Sequence, residues 1–265
     1  MQQVYSHRFR TPKGLEIFVP TPEGRKLGEA IAERVLNTWP PPAYFYHFRS
    51  GGHVEAARLH TMNTVFARLD IQGFFDSVTR SKIDRALRSL RIPKADALDY
   101  ATLSTVNKAS GRSLPFGFVQ SPALASLALD RSALGKALWS LRRAGEVALS
   151  VYMDDILVSA RDVAQVDAAV SVLDRAAAMA GFILSPAKRQ VGVPEVEAFN
   201  LRMAKDFLEV SPERMAAFAA TERTTDGAKE RAIVGYVATV NEAQSLVLEE
   251  VFGLTDPLEV PASKV

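Results

Sequence analysis

The sequence predicts an α+β fold, and two observations carry that prediction. From residue 64 to residue 184 the patterns succeed one another as strand, helix, helix, hairpin, helix, strand. Two apolar runs, residues 147–153 and 155–160, flank one acidic position and read as an antiparallel hairpin. Helices stacked on one face of such a sheet form a layer close to the split β-α-β arrangement.

Each element follows from local chemistry. Residues 12–22 (PKGLEIFVPTP) read as a short strand between turns. Residues 23–37 carry a helical pattern that must stop before Trp39-Pro40-Pro41-Pro42, because proline lacks the backbone donor a helix needs. Residues 64–70 (TVFARLD) read as a buried strand ending on an acid. Asp76 or Ser77 is a suitable cap for a helix reaching about Leu90, with Ile83, Leu87 and Leu90 on one face. Ser121-Pro122 marks another helix start, Ser as cap and Pro at the first helical position, running to about Leu141. Asp162 caps a third helix and Gly181 ends it. A strand at 182–184, a turn at Ser185-Pro186, a hairpin across 196–210 and helix through most of 212–252 complete the reading.

Composition bounds the function. The 265 residues suffice for a full core, and 48% hydrophobic with 23% charged residues fits an ordered chain. No apolar stretch is long enough to span a bilayer, and residues 1–14 lack the apolar centre of a signal peptide, so a cytoplasmic protein without a membrane partner is expected. The absence of cysteine excludes disulfides, thiolate zinc sites and cysteine nucleophiles. His7, His47, His53 and His60 do not have metal-ligand spacing. The net charge of +2 conceals an asymmetry: residues 80–143 hold 12 Lys/Arg against 4 Asp/Glu, while residues 200–265 hold 7 against 11. A basic middle suits a surface that tracks phosphates, although a solvated helix face gives the same count.

Asp154 and Asp155 are adjacent carboxylates inside an otherwise apolar hairpin, and Asp70 ends another apolar strand. Like charges in a partly dry site raise each other's pKa, and a divalent cation removes that penalty. Mg²⁺, with Mn²⁺ as an alternative, is a hard ion suited to carboxylates, water and phosphates. Two such ions, about 3.5–4 Å apart, can activate a 3′-hydroxyl and stabilise departing pyrophosphate. Taken alone, Asp154-Asp155 would read as a turn dipeptide.

Longer segments change that weighting. Arg68-Leu69-Asp70-Ile71-Gln72-Gly73-Phe74-Phe75-Asp76-Ser77, Leu114-Pro115-Phe116-Gly117-Phe118-Val119-Gln120-Ser121-Pro122 and Tyr152-Met153-Asp154-Asp155 stand in the order of three palm motifs. In these the chain resembles the reverse transcriptase family, in its bacterial retron-like and group II intron-like form. Weaker matches are Phe48 to His60, Gly181 to Lys188, Phe199-Asn200-Leu201, Arg231 to Val240 and Pro12-Lys13-Gly14.

The resemblance implies a right-hand polymerase fold with a ferredoxin-like palm. Its fingers would be reduced (1–60), its palm carry interleaved fingers segments (61–202), and its thumb and tail be small (203–265). It implies that Asp70, Asp154 and Asp155 are the catalytic metal-binding triad, with the Ile71 carbonyl as a further metal contact. Phe75 takes the position that excludes a ribose 2′-hydroxyl, an ordinary core aromatic being the alternative. Phe116, Gly117, Gln120 and Lys188 fall at nucleotide-binding positions. Tyr152, Met153, Ser121, Pro122 and Arg49 fall near primer or template. For Lys188, Arg49 and Lys13 a solvated surface charge remains an alternative, and for His60 a packed or surface histidine is expected rather than a catalytic one.

The implied function is RNA-directed DNA synthesis, adding deoxynucleotides to a nucleic-acid or protein primer. Two departures, Phe116 where the family usually has Gln and Gln120 where it has a small residue, join short fingers and a short acidic tail. They fit a specialised role: short, repetitive or untemplated DNA, of the kind found in antiphage defence. Implied partners are a template-primer, a dedicated non-coding RNA, deoxynucleotides, and partner proteins or further copies of the chain. The competing class is a catalytically silent nucleic-acid-binding palm within a larger complex. A binding module gains nothing from clustered negative charge near phosphates, which argues against it.

Overall fold

Near-continuous buried runs lead up to Asp70 and follow Asp155, and strand pairing sets them in a sheet with two buried faces. The structure, a computed structural model, describes residues 4–12, 14–108 and 111–254. Lys13 therefore lies outside the described residues.

The chain opens with a hairpin of β1 (Tyr5–Arg10) and β2 (Glu16–Pro20), followed by helices α1 (Pro22–Thr38) and α2 (Gly52–His60). Next come β3 (Val65–Asp70), the single turn α3 (Phe74–Ser77), and helices α4 (Arg80–Ser89) and α5 (Lys94–Leu103). A small ribbon of β4 (Val106–Lys108) and β5 (Gly111–Ser113) leads to α6 (Ser121–Asp130) and α7 (Ala133–Ala144). The central hairpin is β6 (Ala148–Tyr152) and β7 (Asp155–Ala160), followed by α8 (Val163–Ala180) and β8 (Gln190–Val193). A meander of β9 (Glu195–Ala198), β10 (Leu201–Ala204) and β11 (Phe207–Val210) precedes α9 (Pro212–Ala219), α10 (Ala228–Ala238) and α11 (Glu242–Phe252).

The central sheet has the order β6-β7-β3-β8, with every pairing antiparallel. Side chains alternate between its faces. Ala67, Leu69, Leu149, Val151, Ile156 and Val158 join the larger core, which α4, α6, α7 and α8 cover. Phe66 and Leu157 point the other way, into a second core formed with α2, the β9–β11 meander and α10. The sheet is thus buried on both faces. At its centre His60 on α2 is fully buried, its Nδ1 2.7 Å from Ser159 Oγ and its Nε2 2.8 Å from Ser150 Oγ. Of the packed and surface positions expected for it, His60 takes the packed one.

Several boundaries differ from the sequence reading for local reasons. Thr79, not Asp76 or Ser77, caps α4, accepting from the Lys82 N–H. Gly73, at φ 56°, starts the separate turn α3, and the Ser77 hydroxyl is turned back onto the Phe74 carbonyl at 2.7 Å. The single helix expected over residues 121–141 is two, because Ser132 caps α7 by accepting from the Gly135 N–H at 3.2 Å. Ser121 lies inside α6 rather than capping it, and its hydroxyl donates to the Pro115 carbonyl at 2.8 Å. The strand expected at 182–184 is one bridge, Ile71 to Leu184, and β8 is the true edge. Asp162 and Gly181, at φ 64°, do bound α8 as expected.

Candidate active site

Strand register brings two of the three acids together. Asp70 pairs directly with Asp155 across β3 and β7, and Tyr152 pairs with Asp155 across the hairpin. The turn between them is Met153-Asp154, with Met153 in the left-handed region at φ 57°. The Ile71 N–H donates to the Asp154 carbonyl at 2.8 Å, tying that turn to the end of β3. Ile71 itself is fully buried.

The acids carry their own counter-charges. Asp70 is buried, and its Oδ2 accepts from Lys188 Nζ at 2.7 Å. Lys188 is half exposed, and its ammonium pKa is pushed up, first by that hydrogen bond. Asp155 Oδ1 accepts from Arg68 Nε at 2.8 Å, and Arg68 Nη1 donates to the Glu197 carbonyl at 2.8 Å. Burial pushes the Asp154 carboxyl up to about 6, and the charges of Asp155 and Asp70 add to the shift. Burial also raises Asp155, with Arg68 opposing it. Among the described residues no three acidic or histidine side chains converge closely enough to hold an ion as they stand. The donor chemistry nevertheless fits a hard divalent cation: three carboxylates share one sheet end, and burial together with mutual repulsion raises two of them.

The hairpin tip is braced by a residue the sequence reading passed over. His47, in the helical turn Tyr46–Phe48, accepts from the Met153 N–H through Nδ1 at 3.1 Å. Its Nε2 lies 2.8 Å from Ser126 Oγ on α6. Burial lowers its pKa to about 4, so the ring stays neutral and can accept at Nδ1. Only folding joins residues 47, 126 and 153, so no sequence spacing signals the set.

Asp154 and Asp155 open onto a cleft of about 770 Å³ between the hairpin and helices α9 and α10. Asp154, Asp155, Tyr152 and Met153 form one wall, and Phe218 and Tyr236 belong to the other. His53 joins the two: its Nε2 is 3.0 Å from the Tyr236 hydroxyl, and its ring meets Tyr152 edge-on at 5.8 Å. Phe199, in the weakly matched segment, packs on Tyr152 at 5.3 Å.

The remaining predicted residues divide. Phe75 is buried against Phe116, ring centroids 4.7 Å apart, so the two form one aromatic surface next to Asp76. Lys108 lies beside that surface, pairing with Asp76 and donating to the Leu114 carbonyl at 2.7 Å; the sequence reading did not single it out. Gly117 adopts φ 101°, and a Cβ there would stand 2.2 Å from the Phe18 carbonyl oxygen, so it serves the close approach of β2. Gln120 is buried, donating to Ser104 Oγ at 3.3 Å and resting on Gly28 of α1. Ser121 is fully buried, and Pro122 begins α6 beside it. The structure thus puts Gln120 and Ser121 in the packing between helices, not on the cleft wall. Arg49 donates to the Ala43 carbonyl at 2.7 Å and lies over the Tyr46 ring, which engages it locally.

A four-stranded antiparallel sheet with paired carboxylates at one end, beneath a helical wall, defines an α+β polymerase fold of the right-hand kind. The chain belongs to the reverse transcriptase (RNA-dependent DNA polymerase) family, whose sequence profile matches residues 15–235. Solved structures share the fold at low identity. Telomerase from Candida albicans, in complex with a fragment of telomeric RNA, aligns at TM-score 0.60 and 10% identity, over 89% of this chain and 52% of that one. The foamy viral protease-reverse transcriptase in complex with double-stranded DNA aligns at 0.54 and 15%, over 93% and 42%. This chain therefore spans about half or less of the length of those proteins. No curated protein matches it in sequence.

Proposed function

We propose that the chain is an RNA-directed DNA polymerase, adding deoxynucleotides to a primer held in the cleft between the catalytic hairpin and α9–α10. The observation that carries this reading is the register Asp70 to Asp155, with Asp154 tied to the Ile71 N–H beside them. Asp70, Asp154 and Asp155 would hold two divalent cations, Mg²⁺ or Mn²⁺, with the Ile71 carbonyl as a further contact. When bound, the ions supply charge that activates a 3′-hydroxyl and offsets the leaving pyrophosphate.

The chain's own residues do the remaining work. Lys188 neutralises Asp70 in the free protein and, once released from it, places a protonated amine where pyrophosphate develops charge. The Phe75–Phe116 surface is bulky where a sugar would lie, which disfavours a 2′-hydroxyl. Tyr152 and Phe199 give an apolar floor to the primer end. Residues 1–60 serve as fingers, 61–202 as palm with interleaved fingers segments and 203–265 as thumb. A specialised product, short, repetitive or untemplated, fits Phe116 standing where the family usually has Gln.

Purified protein, supplied with its co-purifying RNA, should incorporate labelled deoxynucleotide only with a divalent metal. Asp154→Asn should reduce incorporation roughly 10²–10³-fold or more, the scale of losing one charge-stabilising group. Incorporation that survives in the variant would remove the assignment.

A second reading, a silent nucleic-acid-binding palm, is favoured by one observation: Lys188 and Arg68 already engage one carboxylate oxygen each of Asp70 and Asp155. Under that reading the wild type binds primer–template yet incorporates nothing with any divalent metal, and Lys188→Ala changes neither result.

A further inference from the structure

The basic excess of residues 80–143 is not spent on the catalytic cleft. Much of it gathers around a second cavity, of about 730 Å³, between α4, the α6–α7 junction and the end of α8. No residue lining it also lines the catalytic cleft. It belongs to the helical layer that covers the larger core, on the opposite face of the sheet from α2 and the meander. Four cations border it, Lys82, Arg85, Arg131 and Lys136, and none of the described residues lining it is acidic.

These charges are poorly compensated. Among the described residues, the Lys82 ammonium meets only the Gly181 carbonyl, at 3.1 Å, and the face of Phe182. Its pKa is lowered, first by burial and then by Arg85. Arg85 donates to its own helix, at the Ser81 carbonyl. Arg131 has Asp130 at 3.6 Å, but that carboxylate also accepts from the Trp39 indole at 3.0 Å. Ser132 and Ala133, at the start of α7, bring a helix N-terminus to the same wall. Like charges held together without carboxylates raise the energy of the empty pocket, and polyanion binding relieves it. Its volume lies within the roughly 300–1,000 Å³ of ligand-sized pockets.

We propose that this cavity is a second phosphate-binding site, on the back of the palm, that anchors a nucleic-acid strand outside the catalytic cleft. Arg85 and Lys136, both exposed at its rim, contact the strand's phosphates, with Arg131 exposed beside them and Lys82 lying deeper. The site does not depend on the proposed chemistry, since binding alone defines it.

The test uses the full chain and fluorescein-labelled oligo(U) RNA of roughly 20 nucleotides, read by anisotropy over a salt series. Arg85→Glu/Lys136→Glu should weaken binding at least about tenfold and lower the salt slope by about 1.4, that is 0.7 for each of two lost phosphate contacts. Arg85→Gln/Lys136→Gln should fall between it and the wild type, which guards against a misfolded charge-reversal variant. Combination with the cleft variant Arg214→Ala/Lys229→Ala should give additive losses, as independent sites do. Extension of a short pre-annealed primer–template should stay at the wild-type rate. Unchanged affinity and salt slope in both rim variants would overturn the proposal. So would inorganic tripolyphosphate displacing the RNA at equal phosphate concentration, which would make the cavity a small-anion site instead.

Discussion

At residue scale, the elements that carry the candidate site rely on neighbours with no acid chemistry of their own. Gly117 is one: with φ 101° and the Phe18 carbonyl 2.2 Å from any added Cβ, no other residue fits without moving β2. Gly117→Ala should cost about 1–3 kcal/mol in a urea titration and loosen Phe116, its chain neighbour. His60 is another. Burial holds its pKa at about 3, whereas an unfolded histidine titrates near 6.5. Below the unfolded value only the denatured chain takes the proton, so stability falls as pH drops from about 6.5 toward 3, by about 1.4 kcal/mol per pH unit. The wild type should therefore lose about 2 kcal/mol more than His60→Gln between pH values of about 6.5 and 5, measured by denaturant unfolding. Asp70, Asp154, Asp155, Phe75 and Phe116 could be singled out in the sequence because each lies within a short motif, whereas the packing of Phe75 on Phe116 joins two separate motifs and had no signal there. His47, Arg68, His53 and Lys108 were not, because their partners are far along the chain: 106 residues from His47 to Met153, 183 from His53 to Tyr236.

At the scale of elements, apolar periodicity located most helices and the central hairpin, and capping chemistry decided where they ended. Residues 121–141 show how the two differ. The apolar pattern runs through without interruption, yet Ser132 offers a cap that is satisfied only if the helix restarts. Ser132→Ala should destabilise the protein by about 1 kcal/mol, seen as a lower urea midpoint with unchanged slope. The short elements β1, α2, α5 and the β4–β5 ribbon escaped the reading for another reason. A three-residue strand such as Val106–Lys108 carries too few residues to show a period, and only its partner, Gly111–Ser113, makes it a strand. The strand expected at 182–184 was an apolar run whose backbone reaches β3 only once, at Ile71.

At the scale of the molecule, one sheet separates two cores, and the acids sit where its open end meets the helical wall. The α+β class followed from element order alone, whereas the cleft did not, since it is made by α9 and α10 folding back over β6–β7. The same arrangement gives the two basic regions different tasks. Arg214 and Lys229 face the cleft, while Lys82, Arg85, Arg131 and Lys136 stand behind the palm. A strand long enough to reach both would be held at two points, raising its effective concentration at the acids without any new contact there.

Lys188 and Arg68 have a consequence for the order of events in the protein's life. Where carboxylates gather with no cation of the chain's own, the ion must arrive before the fold can close, and a chelator unravels the protein. Here each of the two paired acids already has an internal partner. Maturation should then run in sequence, the chain reaching its final shape first and loading metal afterwards. Excess EDTA should abolish incorporation while leaving the melting temperature within about 2 °C of the untreated protein, and added Mg²⁺ should restore activity without a refolding step. A melting temperature that collapses with the chelator would show instead that the ion is part of the scaffold.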